Sequence, residues 1–256
     1  MAEIHQAAAA GFAAGAASYV AGRPEYPPAI EKWLTQDLGL SSTKTALDLG
    51  AGTGKFSRSL LATAARVIAV EPVPAMLDQL IPQYPGIEPR SGSAEHIPLE
   101  DASVDAVVCA QSFHWFATPA ALHEIHRVLK PGGAFGLVWN VRDDTVEWVA
   151  ALTRIMKPFE GDAPRFHSQK WRSLFPAEGF SPLREQRFPN RHTGPPEQII
   201  VERILSVSFI AALPPRERAH VTAQLRAVIA TFPELAGKTQ VTFPYETLAF
   251  VCTRLP

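Results

Sequence analysis

Short apolar runs recur through the first half of the chain, each followed by a segment whose apolar residues have helical spacing. The runs Ala46–Leu49, Val67–Val70, Ile87–Arg90, Ala106–Ala110 and Ala134–Trp139 predict strands. Between them, Gly54–Ala65, Ala75–Ile81 and Ala120–Leu129 predict helices. Lys130-Pro131-Gly132-Gly133 predicts a sharp turn out of the third of these helices into the next strand. Strands alternating with helices require crossover connections, so the pattern predicts a parallel sheet covered on both faces.

Beyond Asn140 the pattern changes. Asp144–Met156, Glu197–Ser208 and Pro215–Thr231 predict helices, the last started by Pro214-Pro215. A polar, aromatic and basic stretch runs from Phe159 to His192, and Thr239–Arg254 predicts a closing strand or hairpin. There is no internal repeat. The second half therefore reads as helices and final strands added to the same sheet, giving one domain over 1–256.

Composition narrows the classes. The chain has 256 residues, 46% of them hydrophobic, enough for one large α/β domain with a sizeable core. Its 24 Lys+Arg and 25 Asp+Glu leave a net charge of −1, which argues against a nucleic-acid binder that works through a basic surface. The 23 prolines exclude a coiled coil or a simple long-helix bundle. Two cysteines, Cys109 and Cys252, lie in apolar runs and are expected to be buried, with no disulfide framework or four-cysteine zinc site. The alanine-rich start, Ala7–Ala17, is broken by Gly11 and Gly15 and carries Glu3 and His5 before it. It predicts a poorly ordered or weakly helical arm of a cytoplasmic protein, with no membrane-spanning segment.

The sharpest chemical feature is Asp48-Leu49-Gly50-Ala51-Gly52-Thr53-Gly54-Lys55, placed after a predicted strand and opening a predicted helix. Glycines there let the backbone approach a ligand closely. A phosphate-cradling P-loop would need glycine at position 49 and serine or threonine at 56, where leucine and phenylalanine stand. A dinucleotide fingerprint would need its third glycine at position 55, which is lysine, and Asp48 would set a carboxylate beside a pyrophosphate. An acid-led Gly-x-Gly-x-Gly loop suits a ligand whose near end is a zwitterionic amino acid. Glu71, at the end of the second strand, can accept hydrogen bonds from two ribose hydroxyls. Further on come Gly92-Ser93-Ala94-Glu95 and, after the fourth strand, Gln111-Ser112-Phe113-His114-Trp115-Phe116.

This ordered series resembles the class I S-adenosylmethionine-dependent methyltransferases over about residues 45–140. Tyr19-Val20-Ala21-Gly22-Arg23-Pro24-Glu25-Tyr26-Pro27 and the 111–116 segment resemble the trans-aconitate-type and related type-11 small-molecule group. The resemblance implies a Rossmann-like, seven-stranded, mostly parallel sheet with an antiparallel final strand and a helical insertion. It implies S-adenosyl-L-methionine as methyl donor and S-adenosyl-L-homocysteine as product. Asp48, Gly50, Ala51, Gly52 and Gly54 would wrap the methionine end, Glu71 would hold the ribose, and Pro72, Met76 and Gln111 would line the site. Ser93, Ala94 and Glu95 would frame the adenine, with Ser93 standing where the family often has aspartate. Tyr19 and Arg23 would meet the carboxylate end from an arm over 1–44, above a donor-binding core over 45–140 and substrate-side elements over 141–256.

Methyl transfer is an in-line displacement governed by alignment. His114 and Trp115, at the carboxyl end of the fourth strand, are the candidates to line the acceptor site, His114 with the option of acting as a base. His123-Glu124-Ile125-His126 has the wrong spacing for a zinc motif, so no metal is expected. The basic stretch containing Arg165, Lys170, Arg172, Arg184, Arg187 and Arg191 reads first as a solvated face and otherwise as the source of an arginine for an acidic acceptor. These features predict a methyltransferase acting on a small molecule, with carboxylate O-methylation first and N- or C-methylation next. A non-catalytic cofactor-binding module and a nicotinamide oxidoreductase are the rivals. A monomer or homodimer is expected, with neither nucleic acid nor membrane as partner.

Overall fold

In the computed structural model, which describes residues 23–162 and 164–256, the apolar runs become the centre of one seven-stranded sheet. Its strands are β1 (Thr45–Leu49), β2 (Arg66–Glu71), β3 (Ile87–Ser91), β4 (Val104–Ala110), β5 (Leu129–Arg142), β6 (Arg184–Gly194) and β7 (Val241–Thr253), in the order β3-β2-β1-β4-β5-β7-β6. β3 through β5 pair in parallel, and β7 runs antiparallel to both β5 and β6.

Alternation along each strand sends side chains to opposite faces. Leu47, Leu49, Ile68, Val70, Val107, Cys109 and Leu137 face one apolar layer, together with Ala121, Leu122, Ile125 and Val128 of the helix Pro119–Val128. Ala46, Val67, Ala69, Ala106, Val108 and Val138 face the other, which holds Ile30, Trp33 and Leu34 of the helix Ala29–Gln36. We label helices α1 (Ala29–Gln36), α2 (Ser57–Leu61), α3 (Pro74–Gln83), α4 (Pro119–Val128), α5 (Glu147–Met156) and α6 (Pro215–Thr231). Thr118 starts α4 by accepting the Ala121 N–H at 3.1 Å, and Pro119 fits its first turn. A third apolar cluster joins α5 and α6 to Val241, Phe243 and Tyr245 of β7. Cys109 and Cys252 are free and buried.

Several elements depart from the sequence expectation. The helix predicted over Gly54–Ala65 shrinks to α2, because Gly54 takes φ +83° before it and Ala64 takes φ +61° after it. Lys130–Gly133 is no simple turn: β5 already pairs at Leu129 with Val104, then resumes at Ala134 with Ala106, so the extra residues loop out of the ladder. Glu197–Ser208 is not one α-helix but a π-helical stretch, Glu197–Glu202, followed by short turns. The closing element, by contrast, is one of the two expected forms, the single strand β7.

The basic stretch hides β6. Arg184–Gly194 lacks apolar alternation because it is an edge strand wet along most of its length, and its register comes from the partner β7. Arg184 pairs with Asp37, and Arg187 with Glu185 and Glu246, all on the exposed rim. Such charges blunt a sheet edge against further strand pairing.

Candidate functional site

The strand order reverses between β1 and β4, so the loops leaving their carboxyl ends part and open a crevice. Around it the backbone is tied tightly. Gly50 and Ala51 donate their N–H groups to the Val70 carbonyl at 2.8 and 3.2 Å. Ser112 Oγ donates to the Leu49 carbonyl at 2.8 Å. Glu71 is the hub: Oε2 accepts the Gly52 N–H at 2.9 Å and Oε1 the Val73 N–H at 3.0 Å. Burial pushes its pKa up despite those two bonds.

Two of the loop glycines are required by crowding. A Cβ on Gly50 would lie 2.8 Å from Ser112 Cβ, and one on Gly54 would lie 2.9 Å from the Tyr84 ring, each at positive φ. Gly52 differs. A Cβ there would meet nothing within 4 Å, because the residue faces the open crevice.

The crevice is a cleft of about 1380 Å³ including its mouth. Gly50, Ala51, Gly52, Glu71, Pro72, Met76, Ser93, Ala94, Glu95, Gln111 and Trp115 all line it, as does Arg23. Asp48 and Gly54 do not line the wall; both support it from behind. Asp48 is 1% exposed and accepts the Ser57 hydroxyl at 2.6 Å through Oδ2, while Oδ1 has no hydrogen-bond partner. Burial, with Glu71's charge adding, raises its pKa to about 7 against the pull of Ser57. Tyr19 lies outside the described residues.

A second compartment of about 740 Å³ adjoins the first, and Arg23, Gln111, Trp115, Asn140 and Arg203 line both. His114 sits only in this inner chamber, with Trp139, Arg142, Arg165, Phe166 and His167. Trp139 Nε1–H donates to His114 Nδ1 at 3.1 Å, so the neutral ring carries its proton on Nε2. Burial first, then the positive charge of Arg165, pushes the His114 pKa down to about 3. Among the described residues no aspartate or glutamate lines the chamber.

Several of these residues are not singled out by the sequence pattern. Asn140 was findable: it follows the fifth apolar run at the same end of the sheet, where its carbonyl accepts from Gln111 Nε2 at 3.1 Å. Arg142 lies two residues further along the same strand. Arg203 gave no signal, because it arrives through the π-helical stretch, a rare geometry that often re-aims side chains at functional sites. Among the described residues no group of three or more His, Cys, Asp or Glu side chains gathers as a metal site. His123 is exposed and His126 packs edge-on against Phe180 at 5.4 Å.

A family model described as a methyltransferase domain matches residues 47–137. An uncharacterized methyltransferase-like protein of Schizosaccharomyces pombe is 44% identical over 246 residues, covering 96% of each chain. The chain belongs to the class I S-adenosylmethionine-dependent methyltransferases. The methyltransferase also shares its fold with a solved protein of Anaeromyxobacter dehalogenans assigned as a type II methyltransferase, at TM-score 0.65 and 25% identity over 91% of this chain and 99% of that one. Half of it, 132 residues, is 35% identical to half of the malonyl-[acyl-carrier protein] O-methyltransferase of Serratia marcescens. Its cofactor is S-adenosyl-L-methionine. The residues present fit that cofactor: Gly52 leaves a bare cradle, and Glu71 keeps lone pairs facing the cleft. No helix among the described residues is long and apolar enough to cross a membrane.

Proposed function

We propose that the methyltransferase esterifies a carboxylate of a small acceptor held in the inner chamber. The observation that carries this is that His114, the candidate base, has no free lone pair on its ring. His114 Nδ1 is taken by Trp139, its Nε2 holds the proton, and among the described residues no acid lines the chamber, whose other imidazole, His167, does not border the cofactor cleft. An alcohol, phenol or ammonium acceptor must lose a proton before or during transfer, whereas a carboxylate is already ionised at neutral pH. The partial likeness to a malonyl-[acyl-carrier protein] O-methyltransferase supports the same chemistry.

When bound, S-adenosyl-L-methionine supplies a methyl group on a positively charged sulfur open to in-line attack. The chain's residues do the holding. Glu71 accepts the ribose hydroxyls, Ser93, Ala94 and Glu95 frame the adenine, and the Gly50–Gly54 loop wraps the methionine end, with Tyr19 and Arg23 closing over it. Gln111 takes φ +59° at the junction of the compartments, fixed by its N–H to the Val138 carbonyl at 2.8 Å. His114 Nε2–H and Trp115 orient the acceptor as donor and wall. The acceptor oxygen forms the new O–C bond while the S–C bond breaks and its electron pair stays on sulfur. No proton moves. Residues 1–44, 45–140 and 141–256 contribute arm, donor core and acceptor walls of one domain, in a cytoplasmic protein.

The enzyme is incubated with methyl-labelled cofactor and a low-molecular-mass metabolite extract, and the products are treated with mild base. Carboxyl methyl esters release labelled methanol, so volatile base-labile label is expected. Label that stays on a non-volatile, base-stable product would replace this reading with N- or C-methylation.

A further inference from the structure

The inner chamber holds more positive charge than a single carboxylate at the junction requires. Arg142, Arg165 and Arg203 all line it. Buried atoms of each, Arg142 Nε, Arg165 Nη1, and Arg203 Nε and Nη1, have no hydrogen-bond partner. The remaining contacts are weak. Arg142 Nη1 reaches Met156 sulfur at 3.6 Å, Glu160 stands 3.8 Å from Arg165, and the Arg165 guanidinium lies over the Phe209 ring at 4.7 Å. The nearby acid Asp144 is engaged by the Thr153 hydroxyl at 2.9 Å. Buried guanidinium groups left this way cost stability unless something pairs with them. Burial and Arg203's charge already lower the Arg142 pKa to about 10, which still leaves it cationic at neutral pH.

Position separates this charge from the transfer point. Arg142 and Arg165 line the chamber but not the cofactor cleft, whereas Arg203 borders both. A group held by the first two therefore lies away from the methyl donor. We infer that Arg142, Arg165 and Arg203 form an anion subsite that binds a second acidic group of the acceptor, one that is not methylated. The acceptor class is then a short molecule with two acidic groups, one presented to the donor and one clamped. This rests on the proposed carboxylate chemistry only for the identity of the group that is methylated.

The test compares succinate, glutarate and adipate with butyrate, which has one carboxylate, in titration calorimetry on the full chain saturated with S-adenosyl-L-homocysteine. At least one diacid is expected to bind roughly 10- to 100-fold tighter than butyrate, the range for one charge-assisted guanidinium contact. Arg165→Gln and Arg142→Gln should each erase most of that difference while keeping S-adenosyl-L-homocysteine affinity. Equal binding of diacids and butyrate, no diacid binding at all, or a preference that survives both substitutions would overturn the subsite. The wild-type comparison stands even if a variant fails to fold. Inorganic phosphate as a probe distinguishes the acidic group: competition with the diacid is expected, since both would fill the same guanidinium site, and its absence would count against the clamp. If a diacid binds through the arginines but yields no methyl ester, the subsite holds and carboxylate methylation fails. If a diacid is esterified equally well by wild type and both variants, the reverse is true.

Discussion

Replacing Glu71 by alanine should cripple cofactor binding by an amount that follows from counting lone pairs. A carboxylate offers about four acceptor sites. Two are used by the Gly52 and Val73 N–H groups at 2.9 and 3.0 Å. Two remain for the two ribose hydroxyls. Hydrogen bonds to a charged group contribute about 1.5–3 kcal/mol each, so losing both weakens binding by about 3–6 kcal/mol, a hundred- to ten-thousand-fold rise in Kd. Glu71→Gln should fall between, because its amide has one oxygen and must leave either Gly52 or Val73 facing an NH₂ group. Calorimetry with S-adenosyl-L-homocysteine measures the loss, and thermal melting reports the cost of freeing the loop. A 2′-deoxy analogue completes a double-mutant cycle: removing the hydroxyl should hurt wild type and leave Glu71→Ala nearly unchanged. A folded Glu71→Ala protein within threefold of wild-type affinity, or equal losses from the deoxy analogue in both proteins, would refute the ribose contact.

The glycine loop offers a contrast between two substitutions. Gly50→Ala places a Cβ 2.8 Å from Ser112 Cβ at φ +71°, so it should destabilise the fold by roughly 2–4 kcal/mol, seen as a drop in Tm. Gly52→Ala meets no atom within 4 Å and should cost only about 1 kcal/mol of backbone strain, while its methyl enters the cleft and weakens S-adenosyl-L-homocysteine binding well beyond that. Asp48, with a folded pKa of about 7 against an ordinary 3.8, is held protonated more tightly by the folded state than by the unfolded chain. That stabilisation is complete below about pH 4 and is lost as pH rises to about 7, an upper bound of roughly 4 kcal/mol. Asp48→Asn should therefore gain stability relative to wild type in denaturant melts between pH 5 and pH 8; a pH-independent difference would contradict the buried, uncharged aspartate. For His114, nitrogen NMR should show an Nε2–H tautomer that does not titrate between pH 5 and 8, and a midpoint near pH 6.5 would restore it as a base.

The lining of the first cleft was legible because its signals are local. A glycine triplet after an apolar run, and an acid ending the next, fix backbone shape and chemistry within a few residues of each other. Glu71 reaches Gly52 through the parallel pairing of β1 with β2, which apolar periodicity alone predicts. The second compartment depends on long-range placement. Arg142 comes from the far end of β5, Arg165 from an irregular stretch and Arg203 from just beyond a π-helical one; nothing in their neighbours' spacing says they converge. β6 was missed for a related reason. Its stability comes from β7 and from ion pairs, so its own residues carry no strand-like alternation. The basic stretch proved to be two things, a charged sheet edge and one arginine, Arg165, turned inward.

The wall shared by the two compartments couples what they bind. Arg203 borders the cofactor cleft on one side and a chamber of guanidinium groups on the other. An empty chamber repels the charged donor; a chamber filled with an anion attracts it. Each ligand then raises the affinity of the other by the same factor, as linkage requires. Methyl transfer turns the donor's sulfonium into a neutral thioether, so the donor side of that attraction loses its charge while a clamped second acid would keep its own. The mutual attraction between donor and clamped acceptor would thereby be switched off from the donor side by the reaction itself, favouring release of the spent cofactor.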